Sequence, residues 1–550
     1  MDGAVCSGSG AGEELRRRFG GTRPDLWTPI PARDSLHAME WTESVQPQAK
    51  IRANRRILGK PDEAAPRVCV REIDLFERPV VFRMPFRFGA AVVHRASEAF
   101  VRMRIEDSLG RSAVGYGAEL LVPYWFDKDP CRSLAAHGDR LRHSVLLAAE
   151  AAITTRAPAP VFSLTRAWRE ELADRTRDQA LPPLLAGLGP ALLERALLDA
   201  VCRLVEAPFE RVLRANAFGL GACPGAFADL RAFDFAGFLA RLRVAPEIAV
   251  RHTVGLGDPI RRADAADAGA DGMIDDGLPE SLEEAIEVWR PRHFKVKVAG
   301  ASRADAERLI EIATLLDAAA PDSVVTLDGN ESFADIDAAL ALIALLDGEP
   351  RLARFADRIL YFEQPLPRAR ALETDVRLLA ARTAVVIDES DDHDDAFLAA
   401  RAAGYAGVSI KSCKGVLRAV ANAARCAAWN AEAGRDARWF VSAEDLTTQA
   451  GLGVQQDLLL ASALGCAHAE RNGHWYVGGM RGASDAEQRR FAAAHPDLYE
   501  IGPTGIRLRI VGGRLSLASL GEVGFAASAL PDLSSMAPLR APESSELPRR

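Results

Sequence analysis

The chain has 550 residues, of which 48% are apolar and 26% charged, with a formal net charge of −8. That length exceeds one ordinary hydrophobic core, so two or more domains are expected, and the acidic balance speaks against a nucleic-acid partner. No apolar run approaches the ~20 residues of a membrane helix, and the N-terminus lacks the basic-then-apolar order of a secretory signal; the eight scattered cysteines form no ligand spacing, which points to reduced thiols in a cytoplasm rather than Cys-bound zinc.

Residues 1–66 are rich in Gly, Pro, Ala and Arg, show no sustained periodicity and read as a partly disordered extension. Strands are predicted at Val68–Phe76, Val80–Arg83 and Phe100–Glu106, the last followed by an Asp107–Gly110 turn. A helical stretch broken by prolines leads to Ala191–Glu206, where Leu198, Val201, Cys202 and Val205 form one apolar stripe and Pro208 marks the end. Residues 67–245 therefore read as an α+β unit.

From residue 246 the texture changes. Short β-branched runs recur, each ending in polar residues and followed by an Ala/Leu-rich helix. Strands are predicted at Ile248–Val254, Phe294–Val298, Val324–Leu327, Ile359–Phe362, Ala384–Ile387, Gly407–Ile410, Trp439–Val441 and Cys466–Ala469. Ser281 and Glu284 have the spacing of a capping box. Eight alternations favour a closed TIM-type (β/α) barrel over an open sheet, so residues 246–480 are assigned to it. In residues 481–550, Gly505–Ile510 and Arg514–Leu517 read as a hairpin around Gly512–Gly513 that returns to the first domain, ahead of a disordered tail.

In such a barrel, catalytic groups sit at the C-terminal strand ends. Lys295 and Lys297 share one face of the second strand, the third ends in Asp328 and Asn330, and the fourth in Glu363. The fifth ends in Asp388–Glu389 and the sixth in Lys411. Taken singly, a Lys-x-Lys is usually a solvated face and an Asp ending a strand is usually a helix cap. Five consecutive strands with charge at the same end, signs grouped, are not explained that way. Three converging carboxylates would repel without a cation, which Mg²⁺ with oxygen ligands supplies. The run Asp391, Asp392, Asp394 and Asp395 reads only as a solvated helix start.

The strings FKVKV, TLDGN, YFEQPL, VIDES and SIKS, in this order, resemble the enolase superfamily, and within it the muconate-lactonizing (mandelate racemase-like) branch, over residues 67 to about 520. The resemblance implies an enolase-like modified barrel with an N-terminal α+β capping domain. It implies Mg²⁺ (or Mn²⁺) on Asp328, Glu363 and Asp388, Lys297 as base on one substrate face, and Lys411 as acid or base on the other. Lys295 would favour neutral Lys297 and contact the substrate carboxylate, with Asn330 nearby. Phe86–Gly89 would be the cap loop closing over substrate, with Arg87 pairing a distal anion, and Glu470 would contact substrate from the strand-eight end. The chain departs from the pattern after Lys411, with Lys414–Gly415–Val416 in place of a Gly pair. Lys414, three residues past Lys411, reads as a loop residue. The strand-eight end also lacks the Asp-x-Asp of dipeptide epimerases. The implied chemistry is Mg²⁺-dependent abstraction of the proton α to a carboxylate through an enediolate, which makes this an isomerase (racemase, epimerase or cycloisomerase). A β-elimination lyase of the succinylbenzoate synthase or dehydratase kind is second, and a non-catalytic binding barrel third. The expected partners are a small carboxylate and further copies of the chain as a homo-oligomer, with no membrane. The acidic 257–279 loop reads as a lid or a tolerated insertion.

Overall fold

The computed structural model describes residues 65–540 except 89–90, 178–180, 222–225, 268–273 and 275. Residues 1–64 of the predicted extension, Gly89, the centre of the 257–279 loop and residues 541–550 of the C-terminal tail lie outside the described residues. The chain opens with an antiparallel meander, β1 (Val68–Phe88), β2 (Ala91–Asp107) and β3 (Ser112–Leu121). The two predicted runs at 68–76 and 80–83 are one long β1, joined by regular pairing of Glu77, Arg78 and Pro79 with β2 and shifted in register at Val70/Glu72 and Val81/Phe86. The helices α1 (Leu134–Thr154), α2 (Val161–Thr176) and α3 (Leu188–Leu204) follow.

Every residue of helix α3 except Arg203 is buried, Leu198, Val201 and Cys202 of the predicted stripe among them, and Val205 is its buried C-cap. The helix lies on β3 at the two glycines of that strand. A Cβ on Gly115 would stand 2.2 Å from the Ala196 carbonyl oxygen and 2.2 Å from the Ala200 nitrogen, so only a bare Cα permits the contact. Asp199 on α3 ties three parts together by accepting from Tyr116 N (2.9 Å), Arg203 Nε (2.8 Å) and Phe525 N (2.7 Å). Gly115→Ala is expected to destabilise the protein by about 1–3 kcal/mol through overpacking, read as a lowered urea midpoint at unchanged m.

Eight parallel strands form the barrel: β4 (Glu247–Val254), β5 (His293–Lys297), β6 (Val324–Asp328), β7 (Ile359–Glu363), β8 (Ala384–Ile387), β9 (Gly407–Ile410), β10 (Phe440–Ala443) and β11 (His468–Arg471), closed by β11 on β4. Helices on the outside include α4 (Leu282–Trp289), α5 (Ser302–Ala319), α6 (Ile336–Gly348), α7 (Ala396–Ala403), α8 (Val416–Ala433), α9 (Leu452–Ala463) and α10 (Asp485–Ala494). The Ser281 side chain caps α4 by accepting from Glu284 N. The predicted terminal hairpin is corrected. β12 (Tyr499–Gly502) pairs with β13 (Gly505–Leu508), while β14 (Arg514–Ser516) runs antiparallel on β4, leaving only an isolated Val511–Arg514 bridge at the predicted turn. The strand that reaches back to the cap is β15 (Ala537–Pro538), paired with β1 at Phe76 and Glu77. Among the described residues, no helix is long and apolar enough to cross a membrane.

Candidate active site

Parallel register places the site. Lys297 on β5 is level with Asp328 on β6, and Asp328 with Glu363 on β7. Period-two alternation sends Lys295 and Lys297 to the same interior face. Lys297 Nζ donates to Asp328 Oδ2 (2.5 Å) and Asn330 Oδ1 (2.7 Å). Lys295 Nζ lies 2.9 Å from Asp328 Oδ2, 2.8 Å from Glu363 Oε2, 2.7 Å from Glu444 Oε2 and 3.0 Å from Glu470 Oε2. Across the barrel, Lys411 Nζ donates to Asp388 Oδ2 (2.5 Å) and sits 4.3 Å from the centroid of Trp125, a cap residue. The structure thus gathers the predicted Lys295, Lys297, Lys411, Asp328, Glu363, Asp388, Asn330 and Glu470, all of them buried.

Burial alone would drive these ions toward neutrality, and their mutual pairing decides otherwise. Burial pushes the Lys295 pKa down, but Asp328, Glu363, Glu444 and Glu470 outweigh it and hold it well above the usual lysine value. Lys411 is likewise held up by Asp388 against its burial. Asp388 is pressed far below the carboxylate range by Lys411 and Lys414 despite desolvation. Glu363 moves the other way: desolvation and the neighbouring Asp328 and Glu444 raise it well above its ordinary value.

The carboxylates are hard oxygen donors of the kind Mg²⁺ and Mn²⁺ take. Among the described residues, no three His, Cys, Asp or Glu side chains are gathered as a finished metal cluster. Ammonium nitrogens stand between the carboxylates, Lys295 between Asp328 and Glu363 and Lys411 beside Asp388. The donor set nevertheless fits a divalent ion. It already demands positive charge at that point, where Lys295 Nζ stands 2.8 Å from the buried Glu363 Oε2.

Sequence reasoning missed several residues. Glu444 lies just past β10, which ends at Ala443 and not at the predicted Val441. Its carboxylate accepts from Ser442 Oγ (2.6 Å) and Tyr361 OH (3.2 Å), pairs with Arg251 of β4, and tethers Lys295 from below. A barrel interior is usually filled by branched apolar residues; here a buried ion-pair column supports Lys295. Lys414 is not on an open loop: it is buried, donating to Ser409 O (2.6 Å) and the Asp388 carbonyl (3.1 Å). Asp391 is corrected with it, being buried 3.3 Å from Lys414 Nζ instead of solvated.

A small cavity opens over the lysines. Lys295, Lys297, Lys411, Asn330, Asp445, Thr447, Glu470 and Asn472 line it from the barrel, with Leu446, and Phe86, Phe88, Val122 and Trp125 line it from the cap. Arg87 is corrected. Between the inward Phe86 and Phe88 it points outward, exposed beside Gly257 and absent from the lining. Arg87→Ala is expected to leave KM within about twofold of wild type, as exposed side chains do, whereas Phe88→Ala raises it about tenfold by losing apolar contact. Steady-state kinetics on one substrate compares them. The described end of the 257–279 loop is anchored to β1: Arg83 Nε donates to Asp276 Oδ2 (2.6 Å) and Arg83 Nη1 to the Pro279 carbonyl (3.1 Å).

Three solved structures share this fold. They are a 2-chloromuconate cycloisomerase from Rhodococcus opacus 1CP (16% identity, TM-score 0.52, covering 85% of this chain and 98% of that one), an enolase from Pseudomonas fluorescens Pf0-1 with bound magnesium, potassium and tartrate (14%, 0.52, 85% and 91%), and a dipeptide epimerase from Enterococcus faecalis V583 complexed with Mg and L-Leu-L-Tyr (16%, 0.51, 83% and 99%). The chain has the architecture of the mandelate racemase and muconate-lactonizing enzymes, a barrel with an N-terminal antiparallel-sheet domain. No protein-family model matches the chain, and no curated protein matches it in sequence.

Proposed function

We propose that this protein removes the proton α to a substrate carboxylate, with Lys297 and Lys411 as the proton-handling groups, and that it acts as a racemase, epimerase or cycloisomerase. The observation that carries this reading is one cavity with ammonium nitrogens from β5 and from the end of β9 on opposite walls, above three acidic strand ends. Asp328, Glu363 and Asp388 would hold a divalent ion, which supplies Lewis-acid charge against the developing enediolate. Lys295, kept charged by its four carboxylates, meets the substrate carboxylate. Lys297 takes the proton from one face and the protonated Lys411 delivers one to the other, with the roles exchanged for the opposite stereoisomer. Phe86, Phe88 and Trp125 exclude water, so these charges act at low dielectric.

One observation favours a second reading, β-elimination with a single base. Lys411 is pinned to Asp388 beneath the Trp125 ring and held in its charged form; there it would stabilise charge while Lys297 alone abstracts. The experiment for both is α-proton exchange in deuterated water with a broad set of chiral carboxylates and Mg²⁺. Isomerisation with exchange supports the first reading, loss of a leaving group the second, and exchange with none removes both.

A further inference from the structure

Arg368, on the loop after β7, joins the cap to the barrel with all three guanidinium nitrogens. Its Nη1 donates to the Phe126 carbonyl (3.1 Å) and its Nη2 to the Trp125 carbonyl (2.8 Å), both in the cap segment 122–128 that follows β3. Nη2 and Nε also grip the carboxylate of Glu331, past the end of β6, at 2.7 and 2.9 Å. A bidentate fork of this kind fixes geometry as well as charge. From the cap, Lys128 Nζ donates to the Asn330 carbonyl (2.6 Å) and pairs with Glu331 (2.8 Å). One buried carboxylate therefore holds a cation from each domain.

The backbone at this junction is held against its own preference. Asn330 and Glu331 both sit in the left-handed region, at φ 40° and 69°, and Tyr124, just before Trp125, lies at φ 67°. Residues other than glycine persist there only where the surrounding contacts over-determine them, and they gather where exact placement matters.

Each of the two loops so joined touches a proton-handling lysine. Trp125 is buried and carries its ring 4.3 Å from Lys411 Nζ, while Asn330 Oδ1 accepts from Lys297 (2.7 Å). Their dependence on Arg368 differs. Asn330 is also fixed within the barrel, its N donating to Asp328 Oδ1 (2.8 Å) and its Nδ2 to Glu389 Oε1 (3.2 Å). Trp125 lies in a segment with no helix or strand of its own, and Arg368 takes its carbonyl directly. Losing Arg368 unseats Trp125 and leaves Asn330 in place.

We propose that Arg368 is a positioning residue for one half of the reaction. Clamped by Glu331, it seats Trp125 on Lys411, and so serves the Lys411 face of the substrate and not the Lys297 face. This rests on the two-lysine reading above.

The test uses the full chain with Mg²⁺ and two variants. Arg368→Lys keeps a charge for Glu331 but lacks the planar fork, and Arg368→Gln removes the charge. Either one suffices, since Glu331 keeps Lys128 as counter-charge in both. Exchange of the α-proton for deuterium is followed on both stereoisomers of a carboxylate that wild type exchanges. The isomer that Lys411→Ala fails to exchange is expected to lose about 10–100-fold in kcat, the effect of a small misplacement remote from the chemistry. The other isomer should stay within about twofold, the scatter of uncoupled sites. In a Trp125→Ala background the same Arg368 substitution should cost neither isomer more than about twofold, because the residue it acts through is gone. Equal losses on both isomers, or the full loss repeated in the Trp125→Ala background, overturn the proposal while proton abstraction stands.

A second readout needs no turnover. The fluorescence contributed by Trp125, taken as the difference from the matching Trp125→Phe protein, is titrated with acrylamide. In the Arg368 variants that share should become open to quenching, with the other tryptophans and the circular dichroism spectrum unchanged. A Trp125 as protected as in wild type overturns the proposal. Should wild type exchange no carboxylate, or only one isomer, the two-lysine reading fails and the quenching alone decides whether Arg368 seats Trp125.

Discussion

Exhaustive chelation is expected to abolish α-proton exchange, and added Mg²⁺ or Mn²⁺ to restore it. A divalent ion at the carboxylates is worth several kcal/mol of transition-state charge stabilisation, and each 1.36 kcal/mol is tenfold in rate, so the loss is roughly 10³-fold or more. The protein itself should survive chelation, because Lys295, Lys297 and Lys411 already pair the carboxylates. Circular dichroism before and after chelation checks this. Among single substitutions, Glu363→Gln is the most informative: the amide keeps the shape and removes the charge, while Lys295 retains Asp328, Glu444 and Glu470 as partners. It should weaken Mg²⁺ binding more than Glu389→Gln. Asp388→Asn should also weaken it, but that change leaves the buried Lys411 and Lys414 short of a counter-charge and carries a folding penalty of about 3–5 kcal/mol. Full activity in the metal-stripped protein would end the metal assignment.

The second large effect concerns the lysines. General acid–base groups contribute typically 10²–10⁴-fold, so Lys297→Ala and Lys411→Ala should each cost about that much. Both variants should fold. Without Lys297, Asp328 keeps Lys295 at 2.9 Å; without Lys411, Asp388 keeps Lys414 at 3.3 Å. In a two-base isomerase, Lys297→Ala loses exchange with one stereoisomer and Lys411→Ala with the other. In an elimination enzyme both variants fail on the same isomer, the first at abstraction and the second at charge stabilisation. Proton NMR of each isomer with each variant separates the patterns.

The barrel was legible because each strand end carries its charge in a short, ordered string. Period two on β5 and parallel register then bring Lys295, Lys297, Asp328 and Glu363 together without any knowledge of loops. What escaped has physical reasons. β3 went unread because Gly115 and Gly117 depress strand propensity, and those glycines are there for the approach of α3. Trp125, in the segment after β3, was hidden with it. Glu444 was lost when β10 was ended at Val441, two residues short of Ala443. Lys414 and Asp391 read as surface positions in the sequence because their burial depends on a long-range contact between them. The Arg87 error was avoidable: with Phe86 and Phe88 facing inward, strand alternation alone turns Arg87 out.

The central claim is that two lysines on opposite walls of one cavity handle the α-proton. The Lys297→Ala/Lys411→Ala double variant tests it most directly, in deuterated water with Mg²⁺ and a carboxylate that wild type exchanges. Proton NMR should show no α-deuterium incorporation into either stereoisomer from a folded, Mg²⁺-binding protein. Incorporation at the wild-type rate would contradict the account, whichever reaction the enzyme completes.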